Sequence, residues 1–249
     1  DSEVGNYTSG SQAQWLGQAF AIDGNRAIVS ASSWRFVNGR NKGAGPPTRG
    51  QAGFHRFNFV NGQWKYADTP WDFLSYSSTA DAEANTSYIA DSVREVEIVG
   101  DSVFFIAKGA GGRDQILYEL PDRMVRDHQV PPTPVFVLSG EESSSDATLR
   151  VGGGAAGIPE YMVAAVPSAP SGRGLVYVFD SDGNLQDTLA GSGWGEGLAV
   201  FGDLIAVSRS DEIKQIYLYR YDGSLSDWRL ERTVTMADLG MSGVQQFGD

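Results

Sequence analysis

The sequence predicts an all-β fold, a β-propeller of four-stranded antiparallel blades. Three observations predict it: apolar runs of strand length, turn glycines between them, and about four recurrences of the whole unit in 249 residues. Residues 194 to 228 hold the clearest copy. Leu198 to Phe201 and Leu204 to Val207 are apolar runs long enough for strands and too short for helices. Gly202-Asp203 supplies the turn between them. Apolar side chains at successive positions imply burial on both faces of the sheet. Ile216 to Tyr221 is a third strand, rich in aromatic and β-branched residues that suit a pleated surface. Asp222-Gly223-Ser224 turns the chain, and Trp228 opens a fourth strand.

The same unit recurs upstream. Gly17 to Gly24 (GQAFAIDG) matches Gly195 to Gly202 (GEGLAVFG), and Ala27 to Ala31 parallels Leu204 to Val207. Third strands follow at Gly53 to Phe59, Ile116 to Leu120 and Leu175 to Phe179. The first-hairpin glycines fall at 24, 100, 153 and 202, which sets repeats over about 15–66, 93–125, 149–187 and 194–234, with a partial copy at 244–249. Repeats of this length with four strands each define blades that cannot bury their faces alone. The chain reads as one propeller, or a piece of one, over 1–249.

Composition limits the function. Net charge is −12 and the pI about 4.6, opposite to the positive field that nucleic acid requires. Cysteine is absent, which excludes disulfides, thiolate nucleophiles and Cys-based metal sites. No apolar run approaches the length that spans a membrane as a helix.

Leu16-Gly17, Trp194-Gly195 and Phe247-Gly248 sit where FG-GAP repeats carry Phe-Gly, and the strand, Gly-Asp turn and GLVYVF-like strand that follow resemble that integrin-α-like family. The resemblance spans nearly the whole chain and rests on recurrence. It implies a non-enzymatic, extracellular adhesion module that binds a protein or glycan, and it places calcium in Asp-x-Asp-x-Asp-Gly loops. The first hairpins here lack that string of oxygen ligands. Family propellers usually have seven blades; a fifth copy beginning at Phe247 leaves a five-bladed ring as the other option.

In a propeller the connections between strands two and three, and between blades, share one face. On that face the sequence places Ser32 to Gln51, Tyr66 to Asp91, Arg126 to Thr148 and Arg229 to Gly243. Long loops on a rigid scaffold are where binding resides. The first carries Trp34, Arg35, Arg40, Lys42 and Arg49 and no acid, and Trp71 follows on the same face. Arginine forks suit carboxylate, sulfate or phosphate, and tryptophan suits a sugar face. The same residues also read as a solvated loop whose charges offset acidic neighbours.

Asp180, Asp182, Asn184 and Asp187 come nearest to a calcium loop, but Asp-Gly-Asn is also an ordinary hairpin turn. Asn6 and Asn85 satisfy the N-glycosylation pattern. His55 falls within a third strand and His128 in a loop, and no nucleophile elbow, zinc-protease motif or phosphate loop occurs. Two alternatives to the adhesion reading stay open. One is a structural module packed against neighbouring subunits of a larger surface protein. The other is a propeller-type carbohydrate-active enzyme, for which Glu95, Glu97 and Glu196 lie on or beside innermost strands.

Overall fold

A computed structural model describes residues 13–34, 50–66, 71–73, 93–108, 115–121, 133–139, 147–154, 158–167, 173–192, 194–209 and 215–240. They form four antiparallel sheets in sequence order. Blade 1 holds β1 (Ala13–Asp23), β2 (Arg26–Trp34), β3 (Gly50–Val60) and β4 (Gln63–Tyr66), with β5 (Trp71–Phe73) also paired to β3. Blade 2 holds β6 (Glu95–Val99), β7 (Ser102–Lys108), β8 (Gln115–Pro121) and β9 (Thr133–Ser139). Blade 3 runs β10 (Thr148–Gly152), β11 (Tyr161–Val166), β12 (Arg173–Asp180) and β13 (Leu185–Ser192). Blade 4 runs β14 (Trp194–Phe201), β15 (Leu204–Arg209), β16 (Gln215–Asp222) and β17 (Asp227–Thr235), followed by a 3₁₀ turn at Ala237–Leu239. No helix among the described residues is long and apolar enough to cross a membrane.

The first strands pack against one another in turn, β1 on β6, β6 on β10 and β10 on β14. They form the inner edge of a four-blade β-propeller array, as the repeated hairpins predict. The recurring glycines hold the inner turns: Gly24, Gly100 and Gly202 have φ of 57°, 54° and 57°, a region that disfavours every residue with a Cβ.

Second strands show why the blades stack. On β7, Val103 and Phe105 enter the core shared with blade 1, while Phe104 and Ile106 enter the core shared with blade 3. On β11, Met162 and Ala164 face blade 2, while Tyr161, Val163 and Ala165 face blade 4. Each of these strands therefore needs a neighbour on both sides. Phe54 of blade 1 meets Phe105 of blade 2 edge-on at 5.2 Å between ring centres.

The inner strands of blades 1 and 4 share a further device. Pairing shifts between Leu16 and Phe20 on β1 and between Trp194 and Leu198 on β14, a bulge at one repeat position. In each bulge one amide turns to a serine hydroxyl: Ala19 N–H donates to Ser30 Oγ at 2.8 Å, and Gly197 N–H to Ser208 Oγ at 2.7 Å. Both serines are buried and lie six residues beyond their turn glycine. Between blades, Arg26 Nη1 donates to Gly100 O at 2.8 Å, and Gly153 N–H and Tyr161 Oη both donate to Gly202 O.

The structure corrects three loop assignments. Arg126 to Thr148 contains β9, the fourth strand of blade 2; Pro134 sits on this edge strand, where its missing N–H costs no inner ladder bond. Tyr66 to Asp91 contains β5, and the Arg229 to Gly243 stretch lies within β17 as far as Thr235. Replacing Ser208 by alanine leaves the half-buried Gly197 amide without its hydroxyl acceptor. Urea unfolding of Ser208→Ala is expected to show a loss of about 1–3 kcal/mol, with an exposed control such as Ser224→Ala costing less.

Candidate active site

The inner strand of blade 2 reads Glu-Val-Glu-Ile-Val. Val96 and Ile98 are buried in the core toward blade 1, so the alternation of a strand sends Glu95 and Glu97 to the other side, toward blade 3. From blade 3, Leu149 enters the core toward blade 2, and Arg150 leaves the opposite face of β10. Its Nη1 reaches Glu95 Oε2 at 3.2 Å and also donates to Leu149 O at 2.6 Å. The ion pair stays half open, with the Arg150 side chain 41% and that of Glu95 28% exposed.

Glu97 stands two residues along the same face. Burial raises its pKa from 4.5 to about 7; Arg150 pulls the other way, and the charge of Glu95 pushes it further up. One strand thus carries two carboxyl groups in unlike surroundings, one paired with a guanidinium and one whose burial raises its pKa to about 7. Glu95 opens β6, at the end of the inner strands from which the longer connections leave, and the short inner turns lie at the other end.

Sequence reasoning placed Glu95 and Glu97 on this inner strand and missed Arg150. The signal was available, since Arg150 is the lone cation of an otherwise apolar inner strand, Leu-Arg-Val. The side chain of Glu196 lies outside the described residues. Of the basic-loop set, Trp34 ends β2 opposite Gly50, and Trp71 opens β5 opposite Phe54, so the two flank β3 on opposite edges. Arg35, Arg40, Lys42 and Arg49 lie outside the described residues, as do Asn6, Asn85, His128 and Phe247. His55 Nδ1 sits 3.0 Å from Tyr66 Oη on the outer half of blade 1.

Asp180, Asp182 and Asn184 fall at the β12–β13 turn, and Asp187 lies on β13 opposite Val178. Asp180 Oδ1 accepts the N–H groups of Asp182 and Asn184, and Oδ2 accepts from Asn184 Nδ2 and Gln186 Nε2. Both oxygens thus serve an Asx turn. Among the described residues no group of three or more His, Cys, Asp or Glu side chains is placed to hold a metal ion.

No family model matches the chain, and neither does any curated protein. Solved structures do. Hydrazine synthase of Kuenenia stuttgartiensis matches at 9% identity and a TM-score of 0.44, over 84% of this chain and 64% of its own, so this chain spans less than two thirds of that one. The periplasmic gluconolactonase of Pseudomonas aeruginosa matches at 14% identity and a TM-score of 0.41, over 88% of this chain and 72% of its own. A Trypanosoma rangeli sialidase matches at 12% and 0.34, over 86% and 36%. The likeness is one of fold alone. It corrects the expectation of a non-enzymatic module: the propeller-like structures that match bear the names of enzymes.

The proton on Glu97 makes stability depend on pH. Folding raises this pKa above its unfolded value, so the contribution is complete below about pH 4.5 and is lost as pH rises through about 7. Glu97→Gln is expected to gain about 1–3 kcal/mol over the native chain at pH 8 and almost nothing at pH 4.5, measured by urea unfolding at both. Equal effects at the two values would contradict the assignment.

Proposed function

We propose that this chain is a propeller-type carbohydrate-active hydrolase, with Glu97 as general acid and Glu95 as its partner carboxylate. The observation that supports it is the pairing of two unlike carboxyl groups on one face of an inner strand, with Arg150 bound to one of them. Same-face neighbours on a strand stand about 6.6 Å apart at the backbone. That falls within the roughly 5–9.5 Å over which carboxyl pairs act on glycosidic bonds. Protonated Glu97 delivers its proton to the leaving oxygen as the C–O bond breaks. Glu95 takes a proton from the water whose oxygen forms the new bond to carbon, and Arg150 orients Glu95 and steadies its charge. A donor with a pKa near 7 is suited to neutral pH, where it still carries its proton for part of the time and gives it up readily.

The segment from Trp34 to Arg49, with Trp71, belongs to the same proposal as the surface that holds the sugar, since β2 ends and β3 begins at the face from which β6 starts. A secreted or cell-surface setting, and kinship with FG-GAP propellers, are part of this reading. Calcium at the Asp180 turn is not needed for it.

The test is a panel of 4-methylumbelliferyl glycosides and δ-gluconolactone, assayed from pH 4 to 9. Turnover is expected on at least one member, with activity falling as pH rises through about 7. Glu97→Gln is expected to lose about 100-fold or more in kcat and to abolish that limb of the profile, and Glu95→Gln to lose a comparable amount. Turnover that is indifferent to both changes, or no turnover on any member, would sink the reading.

A further inference from the structure

An opening lies between blades 3 and 4, bordered by the β10–β11 connection and by strands β12, β16 and β17. It has a volume of about 150 Å³. Its apolar walls come from Ile158 and Val178 on one side and Tyr221 and Trp228 on the other, with Tyr161 edge-on to Trp228 at 4.6 Å. Asp187 and Asp227 stand around it with Gln186 and Ser226, and no lysine or arginine lines it; Asp180 also borders it but is taken up by its own turn, and Glu160 feels the charge of Arg26. Among the described residues Asp187 and Asp227 pair with no cation; through Oδ1 each accepts one backbone N–H, from Thr188 and Trp228.

The equivalent junction between blades 2 and 3 is closed. There the β12–β13 turn lies so near its neighbour that a Cβ on Gly183 would meet Val135 at 2.9 Å and Phe104 at 3.2 Å. In blade 4 the β16–β17 turn has the same length, from Asp222 to Asp227, and carries Leu225 out to solvent at 52% exposure. The repeat that seals one junction leaves the next one hollow, lined by Tyr221 and Trp228 and rimmed by Asp187 and Asp227.

We propose that this cavity binds a primary alkylammonium group carried on an apolar stem, the chemistry shared by a lysine side chain and a free alkylamine. The stem packs along Ile158 and Val178, and the ammonium meets the carboxylates of Asp187 and Asp227 and the ring faces of Tyr221 and Trp228. The net charge of −12 raises the local concentration of any such cation. This inference is independent of the hydrolase reading, because none of its residues belongs to the Glu95–Glu97–Arg150 cluster.

Titration of the ¹⁵N-labelled chain with n-butylammonium, n-butanol and Nα-acetyl-lysine methylamide tests it. Saturable shifts are expected at residues 158–161 and 221–228 with both cations in the millimolar range, and butanol is expected to bind about ten-fold more weakly or less. Asp187→Asn/Asp227→Asn and, separately, Tyr221→Leu are expected to weaken the cations by a similar factor, in spectra that otherwise report a folded chain. Stronger binding of the lysine derivative than of butylammonium assigns the site to a partner's lysine, and the reverse assigns it to a free amine. Butanol binding as well as the cation, cation binding unchanged in the variants, or no saturable shift at those residues would overturn the proposal.

Discussion

No blade here has an apolar face that it can bury by itself. Burial on both sides of the second strands is the constraint from which the rest follows, because β7 and β11 each split their side chains between two cores. Fully burying a large apolar side chain is worth about 1.5–3 kcal/mol, and a sheet exposed on either side would forfeit that at every second residue. Radial stacking of consecutive hairpin pairs satisfies both faces at once. The inner turns then add polar ties, such as Tyr161 Oη and Gly153 N–H on Gly202 O, which fix one blade's height against the next.

The same alternation positions the candidate chemistry. On β6 the phase that puts Val96 and Ile98 into the core leaves Glu95 and Glu97 on the side where blade 3 meets it, and β10 sends Arg150 back from its own non-core phase. A one-residue slip of β6 would bury both glutamates in an apolar core and expose both valine and isoleucine. The acid pair is therefore tied to the register of the blade, and the partial burial that raises the pKa of Glu97 accompanies that register.

Much of this architecture is legible in the residues. Glycines at 24, 100 and 202 announced the inner turns because left-handed backbone is required there, and the successive apolar positions of Leu204 to Val207 and Tyr161 to Val166 announced burial on two faces. Strand β9 was hidden because Pro131, Pro132 and Pro134 mimic loop chemistry at an edge strand that tolerates proline. The bulge serines Ser30 and Ser208 were hidden for a different reason: their role is set by an amide eleven residues earlier, which no local period reveals. Arg150 was missed likewise, since its partner lies 55 residues away on another blade. The carboxylates on β6 were visible as chemistry, while the state of Glu97 depends on burial that only packing supplies.

Native-state hydrogen exchange of the chain carrying Phe104→Ala tests the shared-core account most directly. Phe104 belongs to β7 but enters the core with Leu149, Met162 and Phe179 of blade 3. If neighbouring blades hold one another, the amides of β11 and β12 lose protection to nearly the same extent as those of β7 and β8, by a factor equivalent to about 3–5 kcal/mol. Loss confined to residues 95–121, with blade 3 unchanged, would show that each sheet is stable alone and would contradict it.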